Sequence, residues 1–506
     1  MKKISKILLN CSIFAMLPVF ANAAGTYYNS GLYQSPQTTR YSRQTYSQTQ
    51  RSGGISAYNQ NRYGTSGYTA YSNNQNRNTT RNAQQRAPQK KASNATQTGF
   101  SLDAGISHQM GSWQFEMANA GSILRWDDLN WNVFDANGKY VFNAGNTALQ
   151  IGAGIKYGMQ SGDASMIDDD ITNGGLPIID WVEQIADNTF SDIGTQYETA
   201  LSAGTASDGS MFGYNIEFGL TDFFKWGNAR ITPVIGWRSL SYETETSKNY
   251  GLVVDYVDSA GGCITTSDGS VQCDPALLLY TIDSNGYITN TTLLQRDENG
   301  YIMMPNGSDG NLLEPDGSFY FYQPGVSHSY EVEWAGPYLA LDMSYLINQY
   351  NQISGRIELG LPSYNVTGDQ PGRPDMQHPK SVEDEGGIGD AFHFGLGANW
   401  STAITDKVAL SIGLTYDYYT VSDATAKTYV NSAFYTDQYA AILDVWQDAG
   451  LTESDMLNEE TGDIEAINLK NYIDVMSAQG WTYTDEKEIE SVFKSMGIRV
   501  GINARF

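Results

Sequence analysis

Long apolar runs are missing from this chain. Beyond the N-terminus no stretch of 18 or more apolar residues occurs, which argues against a helical membrane span. Cysteine is scarce: of three, Cys11 lies in the N-terminal apolar stretch, and Cys263 and Cys273 remain. In an oxidising compartment these two would close a loop disulfide; two free thiols are the alternative. Histidine is limited to His108, His328, His378 and His393, so imidazole chemistry has few candidate carriers. Acidic side chains are absent from residues 24–97. EF-hand spacing is absent too, so the Asp and Asn oxygens of residues 283–288 and 297–302 read as Asn-Gly turns before they read as a calcium site.

What is present begins with a leader. Met1-Lys2-Lys3-Ile4-Ser5-Lys6 precedes an apolar core over residues 7–20 and the small-x-small pattern Ala21-Asn22-Ala23. Residues 1–23 therefore read as a signal peptide for Sec-type export. Residues 24–97 form a low-complexity Tyr/Gln/Asn-rich segment with nine basic side chains. It holds too little aliphatic surface for a core, so disorder is expected, as a linker or weak tether or as an arm touching anionic polymer. Three of the 30 basic residues belong to the leader and nine to this segment; the remaining 18 face all 56 acidic residues, a net charge of −38 over residues 98–506. Such a field repels nucleic acid and draws in cationic peptides or metal ions, or simply keeps a surface hydrated.

From Phe100 onward the chain alternates. In residues 147–158, Leu149, Ile151, Ala153, Ile155 and Tyr157 share one face of a strand, and Gln150, Gly152, Gly154, Lys156 and Gly158 share the other. In the last strand Met496, Ile498, Val500 and Ile502 oppose Gly497, Arg499, Gly501 and Asn503. An apolar outside with charge inside is backwards for a soluble core and right for a barrel in lipid. Ten such segments, with short and long connections alternating, predict an all-β fold over residues 98–506: a ten-stranded antiparallel transmembrane barrel in a Gram-negative outer membrane. Long outer loops are expected at 161–210, 246–327, 366–389 and 421–491. The last holds two helical patterns, Tyr439, Ile442, Leu443 and Trp446, then Leu469, Tyr472, Ile473 and Met476, expected to pack on each other, with a gating lid as the lesser reading.

Three stretches carry a family resemblance: Ile123-Leu124-Arg125-Trp126; Leu149-Gln150-Ile151-Gly152-Ala153-Gly154 running on to Met166-Ile167-Asp168-Asp169-Asp170; and Gly336-Pro337-Tyr338-Leu339-Ala340-Leu341. With the order of segments from Phe100 to Phe506 they resemble the omptins, ten-stranded outer-membrane endopeptidases. The terminal Phe506 likewise resembles the C-terminal assembly signal of outer-membrane barrels. The resemblance implies a site at the barrel mouth, where a water between an Asp pair and an Asp/His pair attacks the peptide bond and the His acts as base. It places Asp168 and Asp170, two apart on one side of a strand, on the first pair; an acidic loop tip is the alternative. It places Asp375 and His378 on the second, although they stand three apart where the family has two. His393, which alternation aims into the lumen, competes with His378. The resemblance also implies a need for lipopolysaccharide, with no other cofactor, and a taste for basic residues. No outward basic cluster is visible, however, and residues 109–112 lack the expected acid. The leading expectation is an Asp/His endopeptidase. Its competitor is a non-catalytic surface scaffold or adhesin, and a diffusion porin ranks third because ten strands leave a narrow, side-chain-filled lumen.

Overall fold

Alternation of this kind gives each strand two unlike faces, and the computed structural model closes ten such walls into one antiparallel ring. The structure describes residues 98–117, 122–173, 196–253, short stretches between 264 and 305, and 319–448, 450, 452–456 and 464–506. The leader 1–23, the segment 24–97, and Cys263 and Cys273 with their expected disulfide lie outside the described residues.

The strands are β1 (Gly99–Met117), β2 (Ser122–Ala144), β3 (Thr147–Gln160), β4 (Ala164–Asn173), β5 (Gln196–Leu220), β6 (Ala229–Val253), β7 (Phe319–Leu346), β8 (Asn351–Gly360), β9 (Ser363–Asp369), β10 (Val382–Gly386), β11 (Ala391–Ala403), β12 (Val408–Tyr429) and β13 (Thr482–Arg505). Around the lower ring the order is β1, β2, β3, β5, β6, β7, β8, β11, β12 and β13, and β13 pairs back onto β1. Higher up, β4 takes the place of β3 between β2 and β5. There β9 and β10 take the places of β8 and β11 between β7 and β12. Ten walls therefore persist to the mouth.

The expected outer loops are shorter than the sequence suggested. β4 and the first half of β5 occupy much of 161–210, β6 and β7 enter 246–327 from both sides, and β9 and β10 fill most of 366–389. The reason is length: walls such as β7, with 28 residues, far exceed the roughly 9–11 residues a tilted strand needs to cross a bilayer. The strand goes on after its lipid-facing pattern has stopped.

Three tiers fill the interior. The lowest is a charge ladder. Arg499 binds Asp103 and Asp135; Arg356 binds Glu217 at 2.8 Å, Asp342 at 3.1 Å and Glu358 at 2.9 Å; Arg238 binds Glu358 at 3.1 Å and Asp417 at 3.2 Å. Inward glycines make room for it: a Cβ at Gly154 would stand 2.0 Å from Asn137 Oδ1. Above lies an aromatic tier, with Trp113 stacked on Trp126 at 4.6 Å, Tyr242 on Phe493 at 4.7 Å, and Trp334 against Tyr364 at 4.5 Å. The upper lumen is therefore dry, where a wholly wet interior was expected. The third tier is the mouth.

Helices α1 (Ser432–Asp448) and α2 (Ile464–Ala478) rise from the ends of β12 and β13. They pack as expected, with Leu469, Tyr472, Ile473 and Met476 facing α1, but α1 meets them with Phe434 and Tyr435 rather than with the Tyr439 face.

Candidate functional site

Three adjacent walls shift register at one height: β5 between Ala203 and Thr205, β6 opposite it, where Lys248 has φ 54°, and β7 between Gln323 and His328 around Pro324-Gly325. Bulges bend a wall and re-aim its side chains. Here they turn Ser202, Thr246, Asn249, Gln323, Ser327 and His328 inward together, all buried, as a polar floor above the aromatic tier. Trp126 Nε1 donates to Thr246 Oγ1 at 2.9 Å and locks the two tiers.

Across this floor β4 brings Asp168. Its Oδ2 stands 3.3 Å from His328 Nε2, and His328 Nδ1 lies 2.9 Å from Ser327 Oγ. The Ser327 hydroxyl donates to the Thr246 carbonyl at 3.3 Å, so it accepts from Nδ1–H. That tautomer leaves the Nε2 lone pair of a neutral imidazole facing a carboxylate oxygen. Two acceptors this close need a hydrogen between them. Either a proton sits there, giving an ion pair, or a water donates to both. Asp168 is partly exposed to the mouth and His328 nearly covered. Asp170 lies two residues further along β4, opposite Ser122 and Ala200; its side chain is outside the described residues.

Asp375 and His378 do not converge on each other. Arg373 takes Asp375 in a two-pronged contact, Nε to Oδ1 at 3.0 Å and Nη2 to Oδ2 at 2.8 Å. His378 Nδ1 meets Asp369 Oδ1 at 2.7 Å, and its Nε2 meets the Arg373 carbonyl at 3.0 Å. Both ring nitrogens thus face acceptors, and neither offers a lone pair to water. His393 does point into the lumen, but below the aromatic tier, where it stacks on Tyr419 at 4.1 Å and contacts Asp417 at 3.1 Å.

Two inward groups of the mouth escaped the sequence reading. Tyr330 rises from the aromatic tier on β7, and Gln370 Nε2 donates to its hydroxyl at 3.0 Å. Burial raises its phenol, and the charge of Asp168 adds to the rise. Asp384 on β10 is 3% exposed, and its buried Oδ2 has no hydrogen-bond partner. Burial, reinforced by Glu383, pushes its carboxyl up to about 8. The signal for Tyr330 was its alternation with Val332 and Trp334; for Asp384 it was Val382-Glu383-Asp384-Glu385-Gly386, whose inward middle residue only the pairing with β9 and β12 reveals. Among the described residues no group of three or more His, Cys, Asp or Glu is placed to hold a metal ion. A separate cleft of about 330 Å³ opens beside the bulges, lined by Ala203, Gly204, Thr205, Lys248 and Tyr250.

Among solved structures, the outer membrane protease OmpT from Escherichia coli is similar over 82% of this chain and 99% of its own, at 10% identity and a TM-score of 0.46. The CymD monoaromatic hydrocarbon channel matches at 7% identity over 81% of this chain and 89% of its own, TM-score 0.23. The Pseudomonas putida toluene transporter TodX matches at 7% identity over 81% and 90%, TM-score 0.22. Likeness this slight says nothing of activity. No curated protein matches the sequence. Residues 183–446 match the family model described as Pom, Protochlamydia outer membrane protein. That match spans more than half of the 506 residues, and it agrees with the closed ring and its lipid-facing band: the chain is an outer-membrane β-barrel and belongs to the Pom family.

Proposed function

We propose that this barrel hydrolyses peptide bonds at its outer mouth, through a water shared by Asp168 and His328. The observation that carries the reading is the 3.3 Å approach of Asp168 Oδ2 to a His328 Nε2 whose tautomer is set from behind by Ser327 and Thr246. A water bridging the two gives a proton to Nε2 as its oxygen attacks the carbonyl carbon, and the imidazolium returns that proton to the leaving amine. Asp168 orients the ring and balances its charge. Asp170 stands as the second carboxyl of the β4 pair. Asp375 and His378 move to a supporting role, holding the loop between β9 and β10. Cationic peptides suit the acidic chain, and lipopolysaccharide is the expected surrounding lipid.

The test is turnover of a fluorogenic cationic peptide by the full chain refolded in lipopolysaccharide. Asp168→Asn and His328→Ala should each remove at least 99% of the rate, and His378→Ala should retain most of it. Unchanged turnover in the first two variants would reject the assignment.

A second reading is a non-catalytic surface scaffold. It is favoured by the charge ladder and aromatic tier that fill the lumen, and by the saturated Asp375 and His378. A wild type inert towards varied peptides would select it.

A further inference from the structure

Tyr330 is the neighbour of His328 on the inward face of β7, two residues along. Side chains at i and i+2 stand side by side on one strand face. Its ring is clamped from three sides, by Trp126 at 5.3 Å, Phe115 at 5.6 Å and Trp113 at 5.7 Å. On another side the backbone of β9 closes in: a Cβ at Gly368 would lie 2.4 Å from Tyr330 Cε1. The ring is therefore immobile, and its hydroxyl is the tip that emerges from the aromatic tier into the polar floor. There it accepts from Gln370 Nε2 at 3.0 Å. Its own proton is directed to no acceptor among the described residues. Asp168 and Asp384, both negative when ionised, and the cation of Arg373 are within electrostatic reach of this oxygen.

Resting on the mouth reading above, we propose that Tyr330 is a further catalytic residue, whose fixed hydroxyl donates a hydrogen bond to the carbonyl oxygen of the scissile bond as the water attacks. The water oxygen bonds to the carbonyl carbon, the carbonyl π pair moves onto its oxygen, and that charge meets the Tyr330 O–H. Collapse re-forms the C=O and breaks the C–N bond, the amine leaves with the proton carried by His328, and the phenol keeps its own proton throughout. Burial suits the role: a phenol held neutral is a donor across the whole working pH range. A donor held in place beforehand costs nothing to reorganise when charge develops. Gln370 acts as a positioning residue, because its hydrogen bond occupies one lone pair of the phenol oxygen and fixes where the proton points.

Tyr330→Phe keeps the ring, so the fold, read by heat-modifiable migration in detergent gels, should be unaltered. The expected result is a fall in kcat of about 100-fold with KM within about twofold, the size seen when one such donor is lost. Gln370→Leu should lower kcat by a smaller factor, again without moving KM. A Tyr330→Phe enzyme that matches the wild type, or that changes only KM, overturns the inference; if His328→Ala is inert in the same assay, the mouth reading survives that loss. If His328→Ala and Asp168→Asn turn over like the wild type, or the wild type is itself inert, both fall together.

Discussion

The lower and upper halves of this barrel are inside-out copies of each other. Near the membrane, β7 shows Leu339, Leu341 and Tyr345 outward, 63%, 45% and 51% exposed on the free chain. The lumen at that level holds the Arg356, Arg238 and Arg499 ladder. Further up, the same strand turns Glu331 outward and buries Tyr330, Val332 and Trp334. The alternation never breaks, yet its meaning reverses. Lipid outside demands apolar side chains there and leaves charge to be paired within. Water outside permits glutamate there, and the enclosed space then fills with whatever gains most by leaving water. One strand can serve two solvents because a period of two is indifferent to which face is the dry one.

The comparison can be broken most severely in the upper core. Trp334→Ala should cost about 4 kcal/mol, the usual range for deleting a fully buried large aromatic, measured as a shift in the urea unfolding midpoint of the refolded barrel. An effect below about 1 kcal/mol would mean that the aromatic tier is not a packed core. A paired substitution sharpens the boundary. Ile498→Arg, on the lipid face, should cost about 2–4 kcal/mol in vesicles, whereas Glu331→Arg, on the upper outer face, should stay within about 0.5 kcal/mol. Equal costs would place the lipid boundary elsewhere.

The smallest effect is a slope. Asp384 keeps its proton up to about pH 8 in the folded barrel and only to about 4 once unfolded. Between those values the folded state binds more protons, so this group's contribution falls as pH rises, on the order of 1 kcal/mol per pH unit, and is flat on either side. Asp384→Asn should remove that slope in unfolding midpoints taken from pH 5 to 9. A variant whose midpoints track the wild type would show that the carboxyl is not dry.

Much of the fold was legible because lipid imposes a single rule on every strand. Residues 147–158 and the last strand carried it openly, and ten walls followed. Strand lengths were not legible. Above the bilayer, stretches such as Ser239-Leu240-Ser241-Tyr242-Glu243-Thr244 still alternate, but as serine and glutamate against leucine and tyrosine, so a search for lipid-facing strands ends too soon. The site was half legible. Asp168 was found because its cluster is crowded in sequence. His328 was passed over because the β7 bulge points Ser327 and His328 inward in succession, which no two-residue period can register. Asp375 and His378 looked like a pair by spacing, but Arg373, two residues from Asp375, is a nearer and charged partner.

By itself the amino-acid order determined a barrel wall: which side chains face lipid, how many strands cross, and where acid accumulates. These are local properties, set by alternation against a uniform solvent. Which groups meet over the mouth was decided only when the ring closed. Asp168 and His328 are 160 positions apart, and their contact depends on three bulges falling at one height in neighbouring walls. Such a coincidence of registers has no trace in any single segment, because register is a relation between strands.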